Sequence, residues 1–257
     1  MKNGTDCKER LHLIDAFRGI TILSMIGFHT CWDLYYFNMG ITASFLQSRG
    51  AHIWQQSICW SFILLSGYCF HLGHHHLKRG LMSLVGGILI TIVTLIVLPE
   101  ERDVFGVLWM LGTSMLLMIP LDKILPKNRV AGIIGLLISG LLFFVTRDIN
   151  KGFLGFEGFE LVKLPSGLYK GYPMTFLGFT DQSFYSSDYF SVMPWFFLFC
   201  FGYFLKPVLE NTFFEKKILT KKCKPFELIG RHSFLIYMLH QVVIYGVVWG
   251  IYTICCN

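Results

Sequence analysis

The chain has 257 residues, 54% of them hydrophobic and only 15% charged, with 25 phenylalanines and a formal net charge of +6. Soluble domains carry roughly 25% charged residues, so this composition excludes an ordinary water-soluble fold and points to an all-α, polytopic membrane helix bundle. The long apolar runs exclude an outer-membrane barrel, whose strands are short and alternate. The basic residues sit in short loops beside those runs, which argues against a nucleic-acid partner.

The first apolar run, RLHLIDAFRGITILSMIGFHTCWD, is long enough to cross a bilayer. It is too long and too charged for a cleavable signal peptide and has no small-residue cleavage site, so it reads as the first membrane helix. Asp15, Arg18, His29 and Asp33 punctuate it. At 100° per residue they fall within roughly 60° of one another on a helical wheel. A charged group at the centre of a membrane helix costs at least ~2.5 kcal/mol, so one polar stripe on a greasy helix is a functional-site hypothesis. Asp15 and Arg18, spaced i,i+3, form a structural ion pair or leave Arg18 to offer its fork to phosphate. Asp33 follows His29 at i,i+4, where a carboxylate can orient an imidazole and raise its basicity for work as a base or nucleophile.

Six further spans follow at about 53–72, 81–98, 104–121, 130–146, 191–209 and 233–254, each near the ~20 residues a bilayer requires. The third and fifth spans are short enough to extend by a turn. Basic residues alternate between the loops. Lys2, Lys8 and Arg10 precede span one, Lys78 and Arg79 follow span two, Lys123, Lys127 and Arg129 follow span four, and five lysines from Lys216 to Lys224 follow span six. The positive-inside rule then predicts a cytoplasmic N-terminus, an outer C-terminus and about seven spans. Loop 147–190, rich in Gly and aromatics, lacks the composition of a disordered linker and is expected to be ordered on the extracytoplasmic side. The eight cysteines form no CxxC pair and read as small apolar side chains, with a bridge from Cys31 to Cys255 or Cys256 left open. His240 and Gln241 lie mid-span in the last helix, where a polar pair should face the bundle interior.

Arg18, ten residues, then His29 matches the RX10H signature of membrane acyltransferases. With FILLSGYCFHLG, FGVLWMLGTSMLL, SSDYFSVMPWFFLFCFGYFL and GRHSFLIYMLHQ in order, the chain resembles the catalytic domain of the heparan-alpha-glucosaminide N-acetyltransferase family and its small bacterial relatives. The resemblance implies a single transmembrane acyltransferase domain over 1–257 in a bacterial plasma membrane. It would transfer an acetyl or other short acyl group from cytoplasmic acyl-CoA, typically acetyl-CoA, to an extracytoplasmic amine or hydroxyl acceptor such as an amino sugar or glycan. Membrane relatives of this kind often dimerise, so a homodimer is also an expectation. Carried onto this sequence, His29 is the catalytic histidine and Arg18 its partner. Trp109 departs from the histidine of many bacterial relatives.

Transfer from a thioester also needs donors for the developing oxyanion, for which Ser66, Ser187 and Tyr189 are candidates. Asp188, where the outer loop enters span six, either works on the acceptor beside Asp33 or caps that span. Arg18, Asp15, Lys78, Arg79, Ser66 and His240 are the candidate acyl-CoA contacts, His240 either lining an acyl channel or bonding helices together. The run His71, His74, His75 and His76 can place imidazoles on one helix face, but no metal is expected. Its place beside Lys78 and Arg79 suits CoA phosphates or anionic lipid headgroups better. A transporter or channel that relays protons through the Asp/Arg/His stripe is the alternative reading, and a non-catalytic membrane scaffold the third.

Overall fold

The computed structural model describes residues 10–255; Lys2, Cys7, Lys8 and Cys256 lie outside the described residues. Apart from one small hairpin the fold is helical. Among the described residues five helices are long and apolar enough to cross a membrane: α4 (His76–Val97), α5 (Val107–Ile124), α6 (Arg129–Thr146), α8 (Val192–Leu209) and α10 (Ser233–Cys255). The helices α1 (His12–Tyr36) and α3 (Arg49–Tyr68) match them in length but are more polar. Between α1 and α3 lies the single turn α2 (Ala43–Leu46). The helix starts and ends track the apolar runs closely, because a run of that length can satisfy its backbone in lipid only as helix. The span expected from residue 81 starts at His76, a turn early.

The chain folds as two compact units, one from the residues up to Phe62 together with those from Leu209 onward, the other over Ile63–Val208. In the first, α1 packs on α9 (Lys224–Arg231) and α10. Its core is Ile22, Met25 and Ile58, closed over by Trp54, Phe62, Ile229, Ile236 and Tyr237. Trp54 also donates its indole N–H to Ser24 Oγ at 2.8 Å, which ties α3 to α1. The opposite face of α1 presents Phe17, Ile20 and Leu23 outward.

The α1–α9 crossing is a backbone contact. A Cβ on Gly19 would collide with the Phe226 carbonyl, and one on Gly230 with the Asp15 carbonyl. Neither neighbour is a flexible side chain that could swing away. Small residues give close helix approach without a side chain between the backbones. In the second unit Gly67 of α3 and Gly202 of α8 make a contact of the same kind.

Loop 147–190 is ordered. The strands β1 (Phe153–Phe156) and β2 (Phe159–Lys163) form an antiparallel hairpin with a register shift between Leu154 and Gly155. The Asp148 carboxylate holds it, accepting from the Gly158 N–H at 2.6 Å and pairing with Lys151 at 2.8 Å. The short helix α7 (Tyr172–Leu177) follows. Asp181 accepts from the Gly171 N–H at 2.6 Å and from Ser183, which together hold its carboxyl down at about 2. The sequence reading missed α9 and a π-helical turn at Phe214–Leu219, both within the lysine-rich segment taken for a plain loop.

The two glycine classes on one unit separate packing from propensity. Nothing lies within 4 Å of a Cβ placed on Gly250. Gly230→Ala is expected to lower the unfolding midpoint in detergent, at a cost of about 1–3 kcal/mol or more for a clash against backbone. Gly250→Ala should leave it level or raise it. Equal midpoints for the two variants would remove the backbone crossing from the account.

Candidate functional site

The polar face of α1 finds partners at both ends within its own unit. At the first end Asp15 accepts from Arg10 at 2.7 and 3.1 Å, while Arg18 and Arg231 stand at 3.9 and 3.8 Å. Arg231 also reaches Glu227 at 3.3 Å, and Glu227 takes His12 Nδ1 at 2.8 Å and the Cys223 N–H at 2.6 Å. The hydrogen bond from His12 is the main reason the Glu227 carboxyl is held below the usual range, with the Cys223 N–H and the Arg231 charge adding to it. Arg18 is therefore not an isolated fork. It is one of three guanidiniums around a single carboxylate, at a distance well beyond the 2.7–2.9 Å of a tight charge-assisted bond. The sequence reading paired Asp15 with Arg18 and missed Arg10, Arg231 and Glu227; the Glu227–Arg231 spacing of i,i+4 was the available signal.

At the other end His29 meets α10. Its ring lies edge-on to His240 with centroids 4.8 Å apart, and Phe28 flanks it. Asp33 is buried and accepts from Gln241 Nε2 at 2.9 Å. The i,i+4 spacing suggested a bond from Asp33 to His29. The structure sends Asp33 across to the next helix instead, and among the described residues its second oxygen has no partner. His240 Nδ1 lies 2.6 Å from the Tyr237 carbonyl. Thus His29, Asp33 and His240 come together, with Gln241 as the fourth member.

The other candidates lie in the second unit. Ser66 is buried in α3. Lys78 is exposed on the first turn of α4, and Arg79 folds its guanidinium over Gly73. The histidine run is dispersed. His71 donates from Nε2 to the Tyr203 carbonyl at 3.1 Å and stacks on that ring, His76 stacks on Phe70 at 3.9 Å, and His74 and His75 are exposed. Among the described residues no group of three His, Cys, Asp or Glu side chains is arranged to hold a metal. Trp109 donates to Thr91 Oγ1 at 3.2 Å and packs on Gly87. Cys31 and Cys255 are free thiols, not a bridge.

Asp188 does not cap α8. Residues 186–190 run alongside 101–105: Ser187 N–H bonds the Arg102 carbonyl at 3.0 Å, Phe190 N–H the Phe105 carbonyl at 2.8 Å, and Val104 N–H the Ser186 hydroxyl at 2.9 Å. Asp188 thereby accepts from the Val107 N–H at the start of α5, beside Asp103, whose carboxyl lies over Gly106. Ser187 and Tyr189, the other proposed oxyanion donors, give their hydroxyls to the Glu101 and Thr175 carbonyls. Burial raises both aspartates, and the Asp188 charge raises Asp103 further.

The sign of this shift gives a test. A folded state that keeps a proton the unfolded chain has lost is destabilised as pH rises. Above the ordinary carboxylate range, Asp103 and Asp188 should cost stability in step with pH. Asp103→Asn should raise the unfolding midpoint at pH 8 and change it little at pH 5, measured by thermal melts at the two values. A variant that loses stability at pH 8 would contradict the paired carboxylates.

Against known families, the model for heparan-alpha-glucosaminide N-acetyltransferase, catalytic, matches residues 10–242. The chain belongs to that family, a family of membrane acetyltransferases. Neither the curated proteins nor the solved structures contain a match.

Proposed function

We propose that this member of the heparan-alpha-glucosaminide N-acetyltransferase catalytic family moves an acetyl or other short acyl group from cytoplasmic acyl-CoA to an amine or hydroxyl acceptor on the far side of the membrane. An amino sugar or glycan is the acceptor class the family suggests. The observation that carries the reading is the polar seam of α1, on which His29 meets His240 and Asp33, one turn on, meets Gln241, with Arg18 about 16 Å along the same helix.

In this reading the neutral ring of His29 takes the proton from the acceptor as its nitrogen or oxygen attacks the thioester carbonyl. Asp33, anchored by Gln241, keeps one oxygen for the acceptor. Arg18, loosely held by Asp15, is available to an anionic donor, and in the other unit Lys78 and Arg79 are by themselves a basic pair suited to phosphates. A relay of protons or ions through the same seam is the reading to beat, and only a transferase consumes acetyl-CoA.

The test uses purified protein in proteoliposomes with acetyl-labelled acetyl-CoA and glucosamine as acceptor. Wild type should label the acceptor. His29→Ala should lose about 10²–10⁴-fold in rate while acetyl-CoA still raises its unfolding midpoint, since the ring acts on the carbonyl rather than the nucleotide. Turnover by His29→Ala at the wild-type rate would sink the mechanism.

The basic pair is tested by binding. Replacing Lys78 and Arg79 together by alanine should weaken CoA affinity, and the loss should shrink as salt rises, because exposed phosphate contacts are screened beyond ~8 Å at physiological ionic strength. An unchanged affinity takes both residues out of the site.

A further inference from the structure

We propose that His240 is a positioning residue that holds, through His29, the proton in transit during acyl transfer. The inference rests on the transferase reading above and adds a second imidazole to it.

The tautomer of His240 follows from its neighbour. The Tyr237 carbonyl, 2.6 Å from Nδ1, can only accept, so Nδ1 carries the hydrogen and the lone pair of the neutral ring is on Nε2. That Nε2 is buried and, among the described residues, has no partner. A buried acceptor without a donor lowers stability, and an apolar side chain at this position would fill the bundle without that cost.

The same holds for the neighbouring groups. Gln241 donates from its amide nitrogen to Asp33 Oδ1, which fixes its orientation; among the described residues its own Oε1 and Asp33 Oδ2 have no partner. All three orphaned atoms are acceptors. Of these three groups, His240 is the one whose ring is in edge contact with His29.

The step balances without an outside reagent. The nucleophilic atom of the acceptor forms its bond to the acyl carbon and loses its proton to one nitrogen of His29. His29 passes a proton from its other nitrogen to His240 Nε2, across a hydrogen bond that the two rings, edge-on in this structure, form only once the acceptor is bound. The carbon–sulfur bond breaks as the tetrahedral intermediate collapses, the proton returns through His29, and the sulfur leaves as the thiol. His240 does not touch the acyl group, which is why its loss should be felt in turnover and not in donor binding.

His240→Asn separates this role from a structural one. The asparagine amide can still donate to the Tyr237 carbonyl, but nothing basic remains at the Nε2 position. Steady-state kinetics with acetyl-CoA should show kcat reduced at least about tenfold, below the ~10²–10⁴-fold of a direct acid–base group, with KM for acetyl-CoA within about threefold of wild type. An acetyl arylthioester, whose acidic thiol leaves without needing a proton, should recover much of the lost rate. If His240→Asn does not fold, His240→Gln is measured in the same way against the same criteria. Wild-type kcat in a folded variant, or an equal deficit with both donors, overturns the relay and leaves His240 a helix-internal bond. A wild-type enzyme that transfers nothing from acetyl-CoA, with either donor, overturns the transferase reading itself and the relay with it.

Discussion

The constraint on which the first unit depends is that one long, largely apolar helix carries two carboxylates, an arginine and a histidine on one face, and each of them has to meet a partner as that face is packed away. The cost of leaving any one charge bare in lipid is several kcal/mol, more than one packing contact returns. The fold answers by laying α9 against one end of α1 and α10 along the other. Gly19 and Gly230 bring α9 close enough for Arg231 to approach Asp15, and the long run of α10 delivers Gln241 to Asp33. The apolar core of Ile22, Met25 and Ile58 then fills the space between the two polar ends.

The satisfaction is incomplete, and the shortfall is not evenly spread. At the α9 end each oxygen of Asp15 and Glu227 meets a cation or an N–H. At the α10 end the groups that meet one another leave three acceptors over. A protein selected only for stability would not keep a histidine, a carboxylate and an amide half-paired in its interior, and buried groups of this kind mark sites where stability is given up for chemistry. The second unit holds a separate tension, the Asp103–Asp188 pair, at the point where the segment 186–190 is zipped to 101–105. That zipper orders the end of the long loop through backbone bonds, independently of what the carboxylates do.

Much of this was legible in the sequence. Helix positions followed from apolar run length, since lipid permits few alternatives to helix, and the 100° periodicity placed Asp15, Arg18, His29 and Asp33 on one face before any contact was known. The partners across the fold were not legible. Asp33 reaches Gln241 rather than His29 because a carboxylate on a helix can turn to a neighbouring helix as easily as to its own next turn, and periodicity says nothing about which neighbour arrives. Asp188 stood at the right place in the chain to cap α8. It serves α5 instead, because the pairing of 186–190 with 101–105 is a long-range contact with no local signature. The lysine-rich segment read as loop because its charge hides the short amphipathic helix α9, whose Gly230 and Glu227 matter only once α1 is beside them.

The central claim is that the His29 end of the α1 seam is kept for chemistry and not for holding the bundle together. The most direct measurement sets two numbers for His29→Ala side by side, its unfolding midpoint and its rate of acetyl transfer. The account predicts a midpoint equal to or above that of wild type with transfer abolished. A midpoint that falls steeply, with transfer lost only in proportion to the unfolded fraction, would make His29 a structural residue and contradict it.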